Sequence, residues 1–363
     1  MDLSAHVRRR DRLDVAFVVP RSGPAGMYGP SCEACATLAV EEINAAGGVL
    51  GRELCLRVVD GGRHPDLVAA EVDRMIGADE VDAVGGWHIS AVRQALDPVV
   101  AGRVPYLYSP LYEGGEQTPG VFLAGETPDR QLLPAMRWMA EQRGVRKWCV
   151  LGDDYVWPLA SARAARRYAR GSADIRIVDE MYVPLGTEDF GPAVERVIRS
   201  GAQGVLMFLV GSDAVQFNRA FARAGADGYC VRLSPIMEEN MLLASGAENT
   251  RELYAAAGFF ETLATSAGLD FSRRYSERFG AQAPVLSSLG ESCYEGLTLL
   301  TKLAGRAGSM GLAELCGAAD SLTYESPRGL VRMAGNHLLQ SVYLARADGL
   351  QFDVLAELAE LRS

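Results

Sequence analysis

The chain lacks the short signatures that mark common catalytic and nucleotide-binding centres. No GxSxG elbow is present to force a serine nucleophile into the open, and no GxxxxGK[ST] loop to cradle phosphates. The glycines of GPAGMYG (Gly23, Gly26, Gly29) follow the first apolar run, but their spacing is not GxGxxG and Pro24 interrupts it. They are read as shaping a strand-to-helix turn. Histidine is scarce: His6, His64, His88 and His337 lie far apart, and none stands in an HxxxH or HExxH arrangement that would seat zinc. His88 and Ser90 are the sole histidine–hydroxyl pair, and no third group completes a triad. Neither an enzyme, nor a metal, nor a cofactor is indicated.

Basic charge is also short. Lys plus Arg number 36 against 46 Asp plus Glu, for a net charge of −10. That balance argues against direct nucleic-acid binding, whose affinity comes mainly from neutralised phosphates. The run RRYAR at 166–170 is read as a solvated helix face. No stretch reaches the roughly 18 to 20 apolar residues of a membrane span, so no insertion is expected. Arg8, Arg9 and Arg10 resemble the charged start of a secretion signal, but only about six apolar residues follow before Pro20, fewer than such a signal needs. A cytoplasmic protein is expected on that ground, the other reading being an exported receptor whose signal is not part of this sequence. The seven cysteines are scattered and odd in number, which suits a reducing compartment. Cys32 and Cys35 form a CxxC inside an expected helix, without a second pair, and are read as structural thiols rather than redox or metal ligands.

What is present is a regular alternation. At 363 residues and 39.0 kDa the chain exceeds the size at which single cores stop growing, so two domains are expected. Residues 14–76 read as an apolar strand, a Gly/Pro turn, a long helix ending at Gly47-Gly48, a strand stopping at Asp60, and another helix. Further β-rich runs are Val81 to Val84, Tyr106 to Tyr108, Val121 to Leu123, Trp148 to Leu151, Ile175 to Val183, Gly204 to Leu209, Cys230 to Leu233, Tyr254 to Gly258 and His337 to Arg346. Helical patterns separate them. The fold class is therefore α/β, doubly wound, with ligands expected at the carboxyl ends of the strands.

VEEINAAGGVLGRELCLRVVDGGRHPD, VGGWHISAVRQALDPVV (84–100), YSPLYEGGEQTP (108–119), GDDYVWP (152–158), LVGSDAVQFNRAF (209–221) and SPRGLVRMAGNH (326–337) occur in this order. Together they resemble the type I periplasmic-binding-protein fold nearly end to end. Within it they are most similar to the branch holding the cytoplasmic amide sensor of aliphatic amidase operons, the urea-binding proteins and the branched-chain amino-acid receptors. The resemblance implies two discontinuous lobes, 1–125 plus 261–327 and 126–260 plus 328–363. They would be joined by three hinge crossings, near Gly125 to Pro128, Phe259 to Glu261 and Pro327 to Gly329.

The resemblance also points to ligand contacts at the strand ends. Ser90 is expected near a helix N-cap, where its hydroxyl and free backbone N–H groups can hold an oxygen. Tyr108 matches a ligand-contacting tyrosine, and Ser109 supplies a hydroxyl beside Pro110, which stands where the amide sensor has threonine. Tyr155 matches an aromatic ring that closes over the ligand from the other lobe, with Trp157 as a second wall or a packed turn residue. Trp87, Asp213 and Glu238 complete the set. A cleft-facing Glu238 would favour an ammonium-bearing ligand; a helix-capping Glu238 leaves amide or urea open. The implied function is a non-catalytic sensor closing on a small amide-like ligand, partnered by a transcription antiterminator. The alternative is a receptor delivering amino acids or urea to an ABC permease. The resemblance permits a homodimer.

Overall fold

In the computed structural model, which describes residues 11–358, the chain builds two sheets, each covered by helices on both faces. The first lobe runs β1 (Arg12–Val19), α1 (Gly29–Ala45), β2 (Glu53–Asp60), α2 (Pro65–Gly77), β3 (Ala83–Gly86), α3 (Ser90–Val100), β4 (Tyr106–Tyr108) and β5 (Val121–Leu123). The second takes over with α4 (Leu132–Arg143), β6 (Lys147–Asp153), α5 (Val156–Gly171), β7 (Arg176–Val183), α6 (Gly191–Ser200), β8 (Gly204–Phe208), α7 (Ser212–Arg223), β9 (Val231–Ser234), α8 (Glu239–Ser245) and β10 (Leu253–Ala257). The chain then returns to the first lobe through α9 (Ser266–Phe279), α10 (Ser288–Ala307), α11 (Leu312–Ala319), β11 (Thr323–Ser326), β12 (Gly329–Ala334) and β13 (His337–Leu339). It ends in the second with β14 (Tyr343–Asp348) and β15 (Gln351–Glu357).

Strand order is β11-β12-β13-β5-β4-β3-β1-β2 in the first sheet and β15-β14-β10-β9-β8-β6-β7 in the second. The strands from β13 to β2 and from β10 to β7 pair in parallel. A parallel pair needs a crossover, and the helices supply it. Side chains alternate across each strand: Val15, Phe17 and Val19 of β1 join the core under α1 and α10, while Ala16 and Val18 join the core under α2 and α3. Pro30, Pro65 and Pro192 stand in the first turns of α1, α2 and α6, where no intrahelical N–H is lost. Ser287 and Thr265 cap α10 and α9 by accepting from the N–H groups of Gly290 and Gly268. No helix among the described residues is long and apolar enough to cross a membrane.

The third crossing lies further along the chain than expected. The run His337 to Arg346 is two strands in different sheets, and β12 and β13 hydrogen-bond in the first sheet instead of the second. The reason is a hairpin: β11 pairs antiparallel with β12 and β12 with β13, which carries residues 329–339 back beside β5. The chain changes lobes between Leu339 and Tyr343.

The turn at Arg328 is instead the centre of the hinge. Its buried guanidinium donates from Nε to Glu291 of α10 at 2.6 Å and from Nη1 to Gln340 of the third crossing at 2.7 Å. Nη1 also lies 3.6 Å from Glu126 of the first crossing, whose carboxylate accepts the N–H of Gly258, where the second crossing begins, at 2.6 Å. One cation thus touches, directly or through one carboxylate, all three strands of chain between the lobes.

Candidate ligand site between the lobes

The two sheets present their carboxyl ends to each other, and the lobes are in contact across the gap. Tyr28, just ahead of α1, is fully buried: its hydroxyl accepts the N–H of Gly211 in the second lobe at 2.5 Å and lies 3.2 Å from Met241 Sδ. A Cβ on Gly211 would stand 2.0 Å from the carbonyl oxygen of Pro24, so only glycine permits this approach. The structure is that of a closed clamp.

On the first lobe the chain leaves β3 through Trp87, His88 and Ile89 into α3, and alternation sends Trp87 and His88 to opposite faces. Trp87 is buried edge-on against Tyr28, ring centres 4.9 Å apart, and its indole Nε1 has no hydrogen-bond partner among the described residues. The His88 ring contacts the carbonyl of Val18 at Nδ1, 3.2 Å, and the hydroxyl of Tyr106 at Nε2, 2.5 Å. Burial pushes its pKa down to about 3, so the ring is neutral. Ser90 is the first residue of α3, and Ile89 occupies the N-cap. Its hydroxyl donates to Glu113 at 2.7 Å and lies 3.4 Å from the Tyr108 hydroxyl, which itself donates to the carbonyl of His88 at 2.9 Å. Behind them sits buried Arg93, bonded to Asp97, Glu113 and Glu116 and placed over the rings of Tyr108 and Tyr112. Burial opposes its charge, but Asp97 and Glu113 outweigh that and raise its pKa.

On the second lobe Tyr155 stands at the N-cap of α5 in extended backbone, its ring 6.3 Å from that of Trp157. Its hydroxyl donates to no described residue. Burial raises the phenol pKa well above its ordinary value, reinforced by Asp153 on its own lobe and by Tyr108, Tyr28 and Glu113 on the other. Asp153, the last residue of β6, accepts the N–H of Val210 at 2.8 Å. Burial, then the neighbouring Asp213, push its pKa well above the ordinary carboxylate range. Glu238 caps α8, accepting from the backbone N–H groups of Asn240 and Met241, both at 3.1 Å, and from Asn240 Nδ2 at 2.8 Å.

The residues named from the sequence therefore divide. Ser90, Tyr108 and Tyr155 converge on the cleft, and Trp87 lines its α1 side against Tyr28. Ser109 points the other way, into the core under α10, where a Cβ on Gly296 would lie 2.4 Å from its Oγ. It follows Tyr108 by one residue, and alternation reverses its face. Asp213 ties down the loop after β7, accepting the N–H groups of Gly186 at 2.7 Å and Thr187 at 3.3 Å. Trp157 packs edge-on against Phe208 at 5.7 Å and is a buried wall of the second lobe. His88 does not face Ser90, because both ring nitrogens are occupied elsewhere. Cys32 and Cys35 are buried, and burial raises both thiols well above their ordinary pKa, against redox reactivity. No metal-binding group of three or more His, Cys, Asp or Glu occurs among the described residues. Tyr28, Arg93, Glu113 and Asp153 were not singled out from sequence. Glu113 and Asp153 stand inside motifs already quoted, YSPLYEGG and GDDYVWP, whereas Arg93 is one charge on an amphipathic helix and carried no signal.

Two cavities flank this centre. One of about 260 Å³ opens at the rim between Pro24, Gly62, Ile89, Leu185 and Val210. Another of about 240 Å³ lies toward the hinge between Glu113, Glu126, Arg130, Arg167 and His337.

The family described as periplasmic binding protein matches residues 13–351. A Leu/Ile/Val-binding protein homolog of Brucella melitensis is 25% identical, covering 95% of this chain and 91% of its own length. Among solved structures, the solute binding protein of an ABC transporter from Rhodopseudomonas palustris, in complex with 3,4-dihydroxybenzoic acid, has a TM-score of 0.84 at 19% identity over 97% of this chain and 98% of its own. The branched-chain amino acid transporter substrate binding protein of Streptococcus pneumoniae, in complex with isoleucine, has a TM-score of 0.79 at 19% identity over 95% and 99%. The cytoplasmic location expected above is overturned by the family match, which groups the chain with proteins of the periplasm. Arg8, Arg9 and Arg10 lie outside the described residues, and the apolar residues before Pro20 belong to core strand β1, so their number reflects sheet burial and carries no information on export.

Proposed function

The chain belongs to the periplasmic binding protein family, and we propose from that premise that it is the receptor of an ABC transporter, closing on a small amino-acid-class solute and presenting it to a permease. The observation that carries this reading is the closed cleft itself. Hydroxyls from both lobes (Ser90, Tyr108, Tyr155) and aromatic walls (Tyr28, Trp87, Tyr155) meet where two parallel sheets end. Closure is then driven by a solute that touches both faces, because only differential affinity for the closed form shifts the equilibrium. The relative from Brucella melitensis named for leucine, isoleucine and valine supports the solute class. The receptor reading displaces the amide sensor with its antiterminator partner. One observation keeps a neutral amide as the second reading: Glu238 is engaged as a helix cap and is not a free partner for an ammonium.

Thermal unfolding against leucine, isoleucine, valine, isovaleramide, urea and benzoate tests the assignment. A solute at about 100 times its dissociation constant adds about 2.7 kcal/mol to the folded state. Stabilisation by the branched amino acids, lost in Tyr155→Ala, is the expected result. Stabilisation by the amide alone supports the second reading, and stabilisation by benzoate alone removes both.

A further inference from the structure

The glycine-rich run GPAGMYG does more than turn the chain from β1 into α1. Its residues Pro24–Tyr28 form a short 3-10 turn that reaches across the gap and meets the second lobe at two glycines. Gly186, after β7, has φ +90°, and a Cβ there would stand 3.7 Å from Pro24 Cγ. Gly211, after β8, has φ +53°, and a Cβ there would stand 2.0 Å from the Pro24 carbonyl oxygen. Both positive φ values favour glycine, and at Gly211 the close approach demands it as well. At the end of the turn Tyr28 is fully buried. Its hydroxyl accepts the N–H of Gly211 at 2.5 Å and donates to Met241 Sδ of α8 at 3.2 Å, so it is engaged by the second lobe in both directions. From the first lobe Trp87 holds the ring edge-on at 4.9 Å. All of these contacts are made by the chain itself, without a solute. Swinging the lobes apart breaks those between lobes together: the hydroxyl and the Gly211 N–H pass to water, and the ring loses apolar cover.

We infer that Tyr28 and Gly211 form a latch between the lobes, a pair of positioning residues that favours the closed form before any solute arrives and so scales the affinity for every solute by the same factor. The apparent dissociation constant is the intrinsic one divided by the fraction of molecules in the form that holds the solute. A latch therefore changes affinity without changing selectivity, and the solute's own contacts add to a closure the chain already favours. This rests on the reading of the chain as a hinged receptor and adds to it the contact that presets the hinge.

Small-angle scattering of solute-free protein, stripped by unfolding in guanidinium and refolding, tests the latch with no solute needed. Tyr28→Phe keeps the ring but leaves the buried Gly211 N–H without its acceptor in the closed form. The ratio of closed to open molecules is expected to fall about tenfold, read as a larger radius of gyration than that of the wild type. Gly211→Ala sets a Cβ against the Pro24 carbonyl and is expected to open the molecule further. Native helix content by circular dichroism separates opening from unfolding. Calorimetry supplies a second readout: Tyr28→Phe is expected to weaken leucine and valine alike, by up to about tenfold, whereas loss of a group that touches the solute changes the ratio of the two. The inference is overturned if either variant, natively folded and free of solute, is as compact as the wild type, or if Tyr28→Phe shifts the ratio of leucine to valine affinity. If neither solute binds while both variants open, the latch stands and the amino-acid receptor reading fails.

Discussion

Arg328 at the hinge and Arg232 in β9 of the second lobe are both buried guanidiniums, yet they sit in opposite surroundings. Arg328 is met by Glu291 and Glu126, and although burial opposes its charge these carboxylates raise its pKa. Among the described residues Arg232 has no carboxylate within ion-pair distance. It donates to Asn218 Oδ1 and to the carbonyls of Asn249 and Arg251 at 2.6 to 2.9 Å, stacks on Phe221, and is pushed down by burial to about 10. Arg232 staples one lobe to itself, whereas Arg328 joins the chain segments that run between the lobes. Neutral carbonyls suffice for the first task. For the second, charge is concentrated where the hinge bends.

That contrast can be broken first at its strong end. Arg328→Met leaves Glu291 and Glu126 buried without their cation and is expected to cost about 3 to 5 kcal/mol in urea unfolding. Arg232→Met removes a cation that burial already penalises and leaves only carbonyls unpaired, for about 1 to 3 kcal/mol. Equal losses in the two variants would erase the distinction. The converse case, a buried carboxyl without a cation, is Glu239 beside the second crossing. It accepts the N–H of Glu261 at 2.9 Å, and burial followed by repulsion from Glu238 raises its pKa from 4.5 to about 8. The folded protein then holds this proton more tightly than the unfolded chain. Its contribution to stability is full below about pH 4.5 and is lost as the pH rises toward 8. Melting temperatures across that window should fall with pH, and Glu239→Gln should flatten the slope by a few degrees. An unchanged slope would assign it to other groups. The weak end is Arg278, which grips Glu41 at 2.5 and 2.6 Å on the surface. Despite that geometry Arg278→Ala should leave the urea midpoint within error, because water already solvates both partners.

Legibility followed the range of the interactions. Strands such as β1 and β8 were visible because their apolar residues are contiguous and a strand's burial depends on its own residues. The span 337–346 looked like one strand for the same reason, since nothing local marks the three residues at which the chain changes sheets. Tyr108 and Tyr155 were named because they follow strand ends, and the structure sets both beside the gap between the lobes, whereas Ser109 lies one residue on and faces the core under α10. Glu238 was left open between two roles, and the structure assigns it the cap.

The sequence by itself therefore determined the alternation of strands and helices, the capacity for two cores and the neighbourhood of the cleft, all of which follow from periodicity and turn chemistry within a few residues. Only the tertiary structure decided where the third crossing lies, that Arg328 gathers all three, and which way the Ser90 proton points. Each of those depends on partners brought together from distant segments: Glu113 lies 23 residues from Ser90, and Ala124 lies 204 from the Arg328 that bonds its carbonyl. No local pattern encodes a hydrogen bond whose acceptor arrives only when two segments pack.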